Sequence, residues 1–391
     1  MAILSSGENV FLTGGAGSGK SFLIRELRKS LDPKTTPLLA STGAAAVLLS
    51  GRTFHSFFGL GIMEGGLAGT RKRCLDNPKL MQRLRTIEGF IIDEISMIPG
   101  QALILAEELC REARGSQLPW GGLRAIVVGD FAQLPPVTRG GPRDWCFQTG
   151  VWEKSGFVNV ILKENHRVLD PDFIDILGEV REGKVTPRVR EFLENRVREH
   201  DDWDKSPRLF SRRDQVEGFN RQELAQLPGE DKHIDSIYFG TDKGVELLKK
   251  NGTIPEKLVL KVGCRVLFVQ NDPQKRWVNG TRGTLVDITD DKLTIEKENW
   301  RHVTVERTQF SMLDGDGNHV ASVVNFPVVL GYATTTLDEM WVNLSHLWEP
   351  GQAYVALSRL RTGQGLKLLG WTAKSFVVDP QVIRFYNELG S

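Results

Sequence analysis

The stretch Gly14-Gly15-Ala16-Gly17-Ser18-Gly19-Lys20-Ser21 fixes the kind of sheet this chain must build. It fits the pattern G-x-x-x-x-G-K-[ST], a loop that works only between a strand and a helix. Both flanks comply. Asn9-Val10-Phe11-Leu12-Thr13 reads as a short buried strand. Phe22 to Leu31 reads as a helix with Leu23, Leu27 and Leu31 on one face and Arg25, Arg28 and Lys29 off it. The glycines allow backbone N–H groups from Gly15, Ala16, Gly17, Ser18 and Gly19 to turn inward around a phosphate chain, and the helix N-terminus adds its dipole. Lys20 is expected to reach the outer phosphates and the Ser21 hydroxyl to coordinate Mg²⁺. A glycine-rich turn with a chance lysine would need neither flank. The expectation is a nucleoside triphosphate site in a parallel α/β sheet.

The remaining totals narrow the field by exclusion. A length of 391 residues allows two or three domains, each with its own core. The net charge of +1 offers no diffuse basic field, so any nucleic-acid surface must be local. Cys74, Cys110, Cys146 and Cys264 lie far apart without a C-x-x-C pair, which argues against zinc and fits a reducing compartment. No apolar run approaches the length of a membrane span, and no secretory signal precedes the first strand. Met1 stands only a few residues before that strand, which leaves the true N-terminus open.

Along the chain, Pro37-Leu38-Leu39-Ala40 reads as a second buried strand running into Ser41-Thr42-Gly43-Ala44-Ala45-Ala46. Small residues there permit close approach of another backbone. Gly51-Arg52-Thr53-Phe54-His55-Ser56-Phe57-Phe58 has two readings. Phe54, Phe57 and Phe58, spaced three and four apart, can line a buried helix. Alternatively, Ser41, Thr42, Thr53 and His55 hold phosphates in a groove while Phe57 or Phe58 stacks on a base. Residues 59–86 look like a small insertion, whose Arg71-Lys72-Arg73 cluster alone need be only a solvated face.

Phe90-Ile91-Ile92 ends in Asp93-Glu94, the apolar run and paired carboxylates of the second half of an ATPase site. Asp93 is expected to hold Mg²⁺ together with Ser21, and Glu94 to polarise the attacking water. A further buried strand, Ala125-Ile126-Val127-Val128, leads to Gly129-Asp130-Phe131-Ala132-Gln133-Leu134-Pro135-Pro136-Val137. Gln133, at the tip of a core strand, is placed to sense a γ-phosphate, although an ordinary strand-to-turn junction would look the same.

Taken in order, GGAGSGKS, ASTGAAA with GRTFHSFFGL, IIDEISM and GDFAQLPPV resemble the PIF family of superfamily-one 5′→3′ DNA helicases, with RecD-like and Dda-like relatives. The resemblance covers nearly the whole chain. It implies two RecA-like P-loop domains, at 1–147 and 148–391. A wedge-like insertion at about 59–86 and a small β-barrel at about 258–325 are further implied. Within Lys163-Glu164-Asn165-His166-Arg167 it makes Arg167 an arginine reaching ATP from the second domain, and in Gln352-Ala353-Tyr354-Val355-Ala356-Leu357-Ser358-Arg359 it does the same for Arg359. Lys20, Glu94, Gln133, Arg167 and Arg359 are then the catalytic set, with ATP and Mg²⁺ as cofactors.

The implied activity is ATP-driven 5′→3′ translocation on single-stranded DNA. Duplex, forked or structured DNA such as G-quadruplex would be unwound in replication, recombination, repair or telomere maintenance. A monomer is expected, in the cytoplasm or nucleoid of a bacterium or in the nucleus or mitochondrion of a eukaryote. Two departures stand out. Where the family carries a histidine-lysine-serine-glutamine-glycine motif, this chain has only Thr334-Thr335-Thr336, and the adenine-recognising glutamine segment is absent before Asn9. They leave a second reading open, a DNA-stimulated ATPase that remodels nucleic acid or protein without processive unwinding. A small-molecule kinase or GTPase would share the P-loop but need neither distant arginine, and no N-K-x-D base motif is present.

Overall fold

The computed structural model describes the chain except residues 1–3, 5, 43–44, 47–51, 62, 64–65, 138–140, 200–207, 211–212, 253, 298–299, 314–318, 333–338 and 391. Strands β1 (Val10–Gly14), β2 (Leu38–Ala40), β3 (Arg52–Thr53), β4 (Gly89–Asp93), β5 (Arg124–Val128) and β6 (Val158–Leu162) form one parallel sheet. Their order across it is β3-β2-β4-β5-β1-β6. Helices α1 (Lys20–Arg28), α2 (Gly66–Leu75), α3 (Pro78–Thr86) and α4 (Gly100–Arg114) interrupt the strands.

Side chains alternate across the sheet, as strand geometry requires. Val10, Leu12, Ile91, Ile126 and Val128 pack with Ile24 and Leu27 of α1 on one face. Phe11, Phe90, Ile92, Ala125 and Val127 pack with α4 and Trp120 on the other. Burial on both faces explains why these strands read as unbroken apolar runs. In the expected insertion lie α2 and α3, the latter starting at Pro78 with Asn77 accepting from the N–H groups of Lys79 and Leu80. Arg71 Nε donates to Glu108 at 2.7 Å and so ties α2 to α4.

The second domain has a three-stranded parallel sheet, Leu366–Gly370, Met340–Asn343 and Arg208–Leu209, among the described residues. Its core joins α5 (Pro171–Arg181) and α6 (Gln352–Leu357) through Phe173, Ile176, Val180, Tyr354 and Leu357, and it takes in Ala16 of the P-loop. Antiparallel strands inserted in this domain enclose a separate core of Val266, Phe268, Trp277, Leu285, Ile295 and Val305. The last helix, α7 (Pro380–Gly390), returns to the first domain, where Val382, Phe385, Tyr386 and Leu389 join the core of Phe11 and Phe131.

Two expected boundaries shift. A break between residues 147 and 148 would separate β6 from its own sheet, because Val158 to Leu162 pair residue by residue with Val10 to Gly14. The inserted β-structure also exceeds 258–325: Lys232–Asp235 pairs with Lys257–Leu260, and Val328–Leu330 with Arg265–Phe268. The Thr334-Thr335-Thr336 segment lies outside the described residues.

Candidate nucleotide site and DNA-facing edge

The P-loop turns between β1 and α1 on left-handed glycines. Gly17 has φ +82°, and a Cβ there would lie 2.7 Å from both Arg167 Cβ and Asn165 Oδ1, so only glycine fits. Residues beyond β6 grip this loop directly. Asn165 Nδ2 donates to Ala16 O at 3.0 Å, the His166 N–H to Gly17 O at 2.9 Å and the Ala16 N–H to Tyr354 Oη at 2.7 Å. Lys20 Nζ donates to Gly14 O at 2.7 Å and Gly15 O at 3.0 Å. Burial lowers its pKa, opposed by the nearby carboxylates of Asp130 and Glu94.

Asp93 and Glu94 stand at the end of β4, facing this lysine. Burial raises both pKa values, and for Glu94 repulsion from Asp93 adds to it. Glu94 has φ 54° and ψ 50°, the left-handed region that costs a residue with a Cβ of order 1–3 kcal/mol. Arg359 faces Glu94, and burial, then repulsion from Arg167, lowers its pKa. Arg167 Nη1 donates to Ser358 O at 3.1 Å. Glu94 thus faces both Lys20 and Arg359, and Arg167 stands beside Arg359, although the four come from separate segments.

The donor set suits both ATP and Mg²⁺. Backbone N–H groups line the loop, Ser18 Oγ is buried with no hydrogen-bond partner among the described residues, and the hydroxyl of Ser21 and the carboxylate of Asp93 are hard oxygen donors. Gln133 is half-buried in the turn after β5, its N–H donating to Asp130 O at 3.0 Å. Gly351, at φ +78°, presses against this turn, and a Cβ there would lie 2.6 Å from Ala132 O.

At the C-terminal ends of these strands β2 and β3 lie side by side, Ala40 pairing with Thr53, so Ser41 and Thr42 leave β2 where His55 follows β3. All four are half-buried. Thr42 Oγ1 accepts from the Ala45 N–H at 3.2 Å and Thr53 Oγ1 from the Ser56 N–H at 3.1 Å. Burial lowers the His55 pKa. Phe57 and Phe58 do not join them. Both are 0% exposed, packed edge to face with each other at 5.0 Å, while Phe58 meets Phe90 at 5.7 Å. A ring with no accessible face cannot stack on a base, so the core reading of these phenylalanines holds and the stacking reading is withdrawn.

A profile of the PIF1-like helicase family matches residues 1–191. The ATP-dependent DNA helicase Pif1 of Bdellovibrio bacteriovorus is 60% identical over 393 residues, which cover 99% of this chain and 90% of that protein. The chain belongs to the PIF1-like helicase family. The Danio rerio relative is 35% identical over 98% of this chain, which spans only 62% of that longer protein. Among solved structures, Bacteroides sp Pif1 in complex with ADP-AlF4 superposes with a TM-score of 0.85 at 28% identity, covering 99% of this chain and 94% of that one. Bacteroides Pif1 bound to ssDNA gives 0.65 at 26% identity, with the same coverage. The fold of this PIF1-like helicase is therefore the expected pair of RecA-like domains.

Sequence reasoning passed over Asp130, Arg181, Tyr386, Tyr354 and Asn165. Asp130 is 0% exposed, and Arg181 grips it through Nε at 3.1 Å and Nη2 at 2.8 Å. Burial works to raise the Asp130 pKa, yet Arg181 holds it below the usual range. The aspartate was visible within GDFAQ. Its partners, 51 and 256 residues away, gave no local signal.

Proposed function

We propose that the chain couples ATP hydrolysis in this cleft to 5′→3′ movement along single-stranded DNA and to separation of duplex or structured DNA. As a PIF1-like helicase it is an ATP-dependent DNA helicase; the polarity, the preferred DNA and the residue roles are our reading. The observation that carries it is the approach of Arg359 to Glu94, which in turn faces Lys20, with Arg167 beside Arg359 and bonded to Ser358 O. A site that needs groups from two domains is complete only when the domains are together, so hydrolysis can alternate with their separation. Lys20 and the two arginines neutralise charge developing on the γ-phosphoryl group. Glu94 orients the attacking water and accepts its proton. Ser21 and Asp93 would hold the magnesium ion, which when bound shields phosphate charge. Gln133 reads the γ-phosphate and passes its state to the second domain through the turn touching Gly351. Ser41, Thr42, Thr53 and His55 hold the DNA backbone, which gives grip without sequence preference.

The proposed monomer would act on DNA wherever the cell keeps it, and roles in replication, recombination, repair and telomere maintenance would follow from structured substrates. Comparing ATPase rates with and without a single-stranded oligonucleotide, alongside displacement of a strand from 5′-tailed and 3′-tailed duplexes, tests the reading. Stimulation with displacement only from the 5′ tail is expected. DNA-stimulated hydrolysis without displacement would point to a remodelling ATPase instead, and hydrolysis indifferent to DNA would refute DNA coupling.

A further inference from the structure

The Tyr386 hydroxyl sits where three distant parts of the chain meet. It contacts Thr13 Oγ1 at 2.9 Å, the Phe131 N–H at 2.9 Å and Asp130 Oδ1 at 3.0 Å. Asp130, held ionised by Arg181, can only accept. The one hydroxyl proton of Tyr386 therefore goes to Asp130, and Thr13 and Phe131 donate to its oxygen. Every hydrogen-bonding position on that oxygen is used. Asp130 is saturated in the same way, accepting from Arg181 twice, from Tyr386 and from the Ala132 N–H at 3.1 Å. Arg181 also lies over the Tyr386 ring, 4.4 Å from its centroid.

The joined segments differ in their tasks. Thr13 lies one residue before the end of the strand that enters the P-loop. Asp130, Phe131 and Ala132 form the turn that carries Gln133. Arg181 closes α5 of the second domain, and Tyr386 belongs to α7. A buried ion pair is weak evidence for stability, since an apolar pair of equal volume often serves as well. A fully satisfied buried network does fix a unique geometry. Arg181 supplies the only second-domain cation bonded to this turn among the described residues. Gly351 presses on the same turn from another side of that domain.

From this geometry we infer that Arg181 and Tyr386 are positioning residues: they clamp the Asp130–Gln133 turn between the P-loop strand and the second domain, so that DNA held across the domains can accelerate hydrolysis. Neither touches the reacting atoms. Their task is to keep the turn in step with domain movement. The inference rests on the DNA-stimulated ATPase reading above.

The test uses the whole chain and Tyr386→Phe, which keeps the ring under Arg181 and removes only the hydroxyl. Basal ATP hydrolysis and the KM for ATP are expected to stay within about twofold of the unsubstituted protein. DNA-stimulated kcat should fall at least about tenfold, with oligonucleotide affinity unchanged. Arg181→Lys keeps the charge but loses the two-pronged grip and should give the same uncoupling. The double variant should be no worse than either single one, since both break one unit. Melting curves and basal rates separate this from misfolding. Full DNA stimulation in a folded Tyr386→Phe protein would overturn the inference, as would an equal loss of basal and stimulated rates. If the unsubstituted protein showed no DNA stimulation, the functional reading itself would fail, and the two failures are thus distinguishable.

Discussion

Arg167 donates to the carbonyl of Ser358 at 3.1 Å, so the arginine that follows the first sheet is pinned to the residue next to Arg359. The two guanidinium groups lie side by side as one positively charged wall, with Arg359 facing Glu94. Such a wall is useful only while a strongly negative group stands before it.

Alanine at Arg167 or Arg359 should therefore lower kcat about a thousandfold, the scale at which arginines act in related phosphoryl transfers. The melting temperature should change little, because burial already strains both charges. Steady-state ATPase assays check this, and a loss below tenfold in either variant would reduce these arginines to ordinary interdomain contacts.

Lys20→Ala and Glu94→Gln should fail in different ways. Removing Lys20 takes away the P-loop's own cation and should abolish hydrolysis in a folded protein. Glu94→Gln removes the base but keeps the shape, so nucleotide should bind while turnover falls by at least about a hundredfold. Nucleotide binding by fluorescence, read beside turnover, distinguishes them.

The acid side of the pH–rate profile should reflect Glu94. Burial, then Asp93, raises its pKa, so it takes up a proton at a higher pH than the ordinary glutamate near about 4.3. In the proposed role Glu94 works deprotonated, so activity should be retained above the raised pKa and lost as pH falls through it. Single-turnover rates across the acid range, measured while the far-ultraviolet circular dichroism stays constant, report the midpoint. A midpoint at the ordinary glutamate value would contradict the assignment.

The aromatic core and the proposed DNA edge should separate cleanly. Phe58→Ala opens a cavity under Phe90 and should cost about 3–5 kcal/mol of stability, with oligonucleotide affinity in the folded fraction unchanged. His55→Ala should leave melting nearly unaltered and weaken single-strand binding several-fold. Thermal melting and fluorescence anisotropy on both variants decide it.

Local chemistry was the legible part. The P-loop and the Asp93-Glu94 pair each sit in a short pattern whose spacing dictates its geometry, whereas Arg359 was legible only through the family resemblance. Phe57 and Phe58 were ambiguous because a buried helical face and a stacking platform need the same aromatic spacing, and only the packing against Phe90 separates them. Val158 to Leu162 reads as a strand, but its nearness to Arg167, which the resemblance gives to the second domain, draws the expected boundary in front of it. Its place at the edge of the first sheet follows from pairing with β1, which no local pattern records. The Asp130 network was invisible for a related reason: each member is unremarkable until the chain has folded.

The return of α7 sets a timetable for synthesis. Tyr386 follows Phe131 by 255 residues, and a ribosome adding about 5–20 residues per second needs roughly 10–50 s to cover that distance. Until then the aromatic surface around Phe11, Phe131 and Phe147 lacks Phe385, which stacks on Phe147 at 4.4 Å. The N-terminal half must therefore wait on the ribosome with a sticky face uncovered, a natural point for chaperone capture. A piece cut after β6 would never close that face at all.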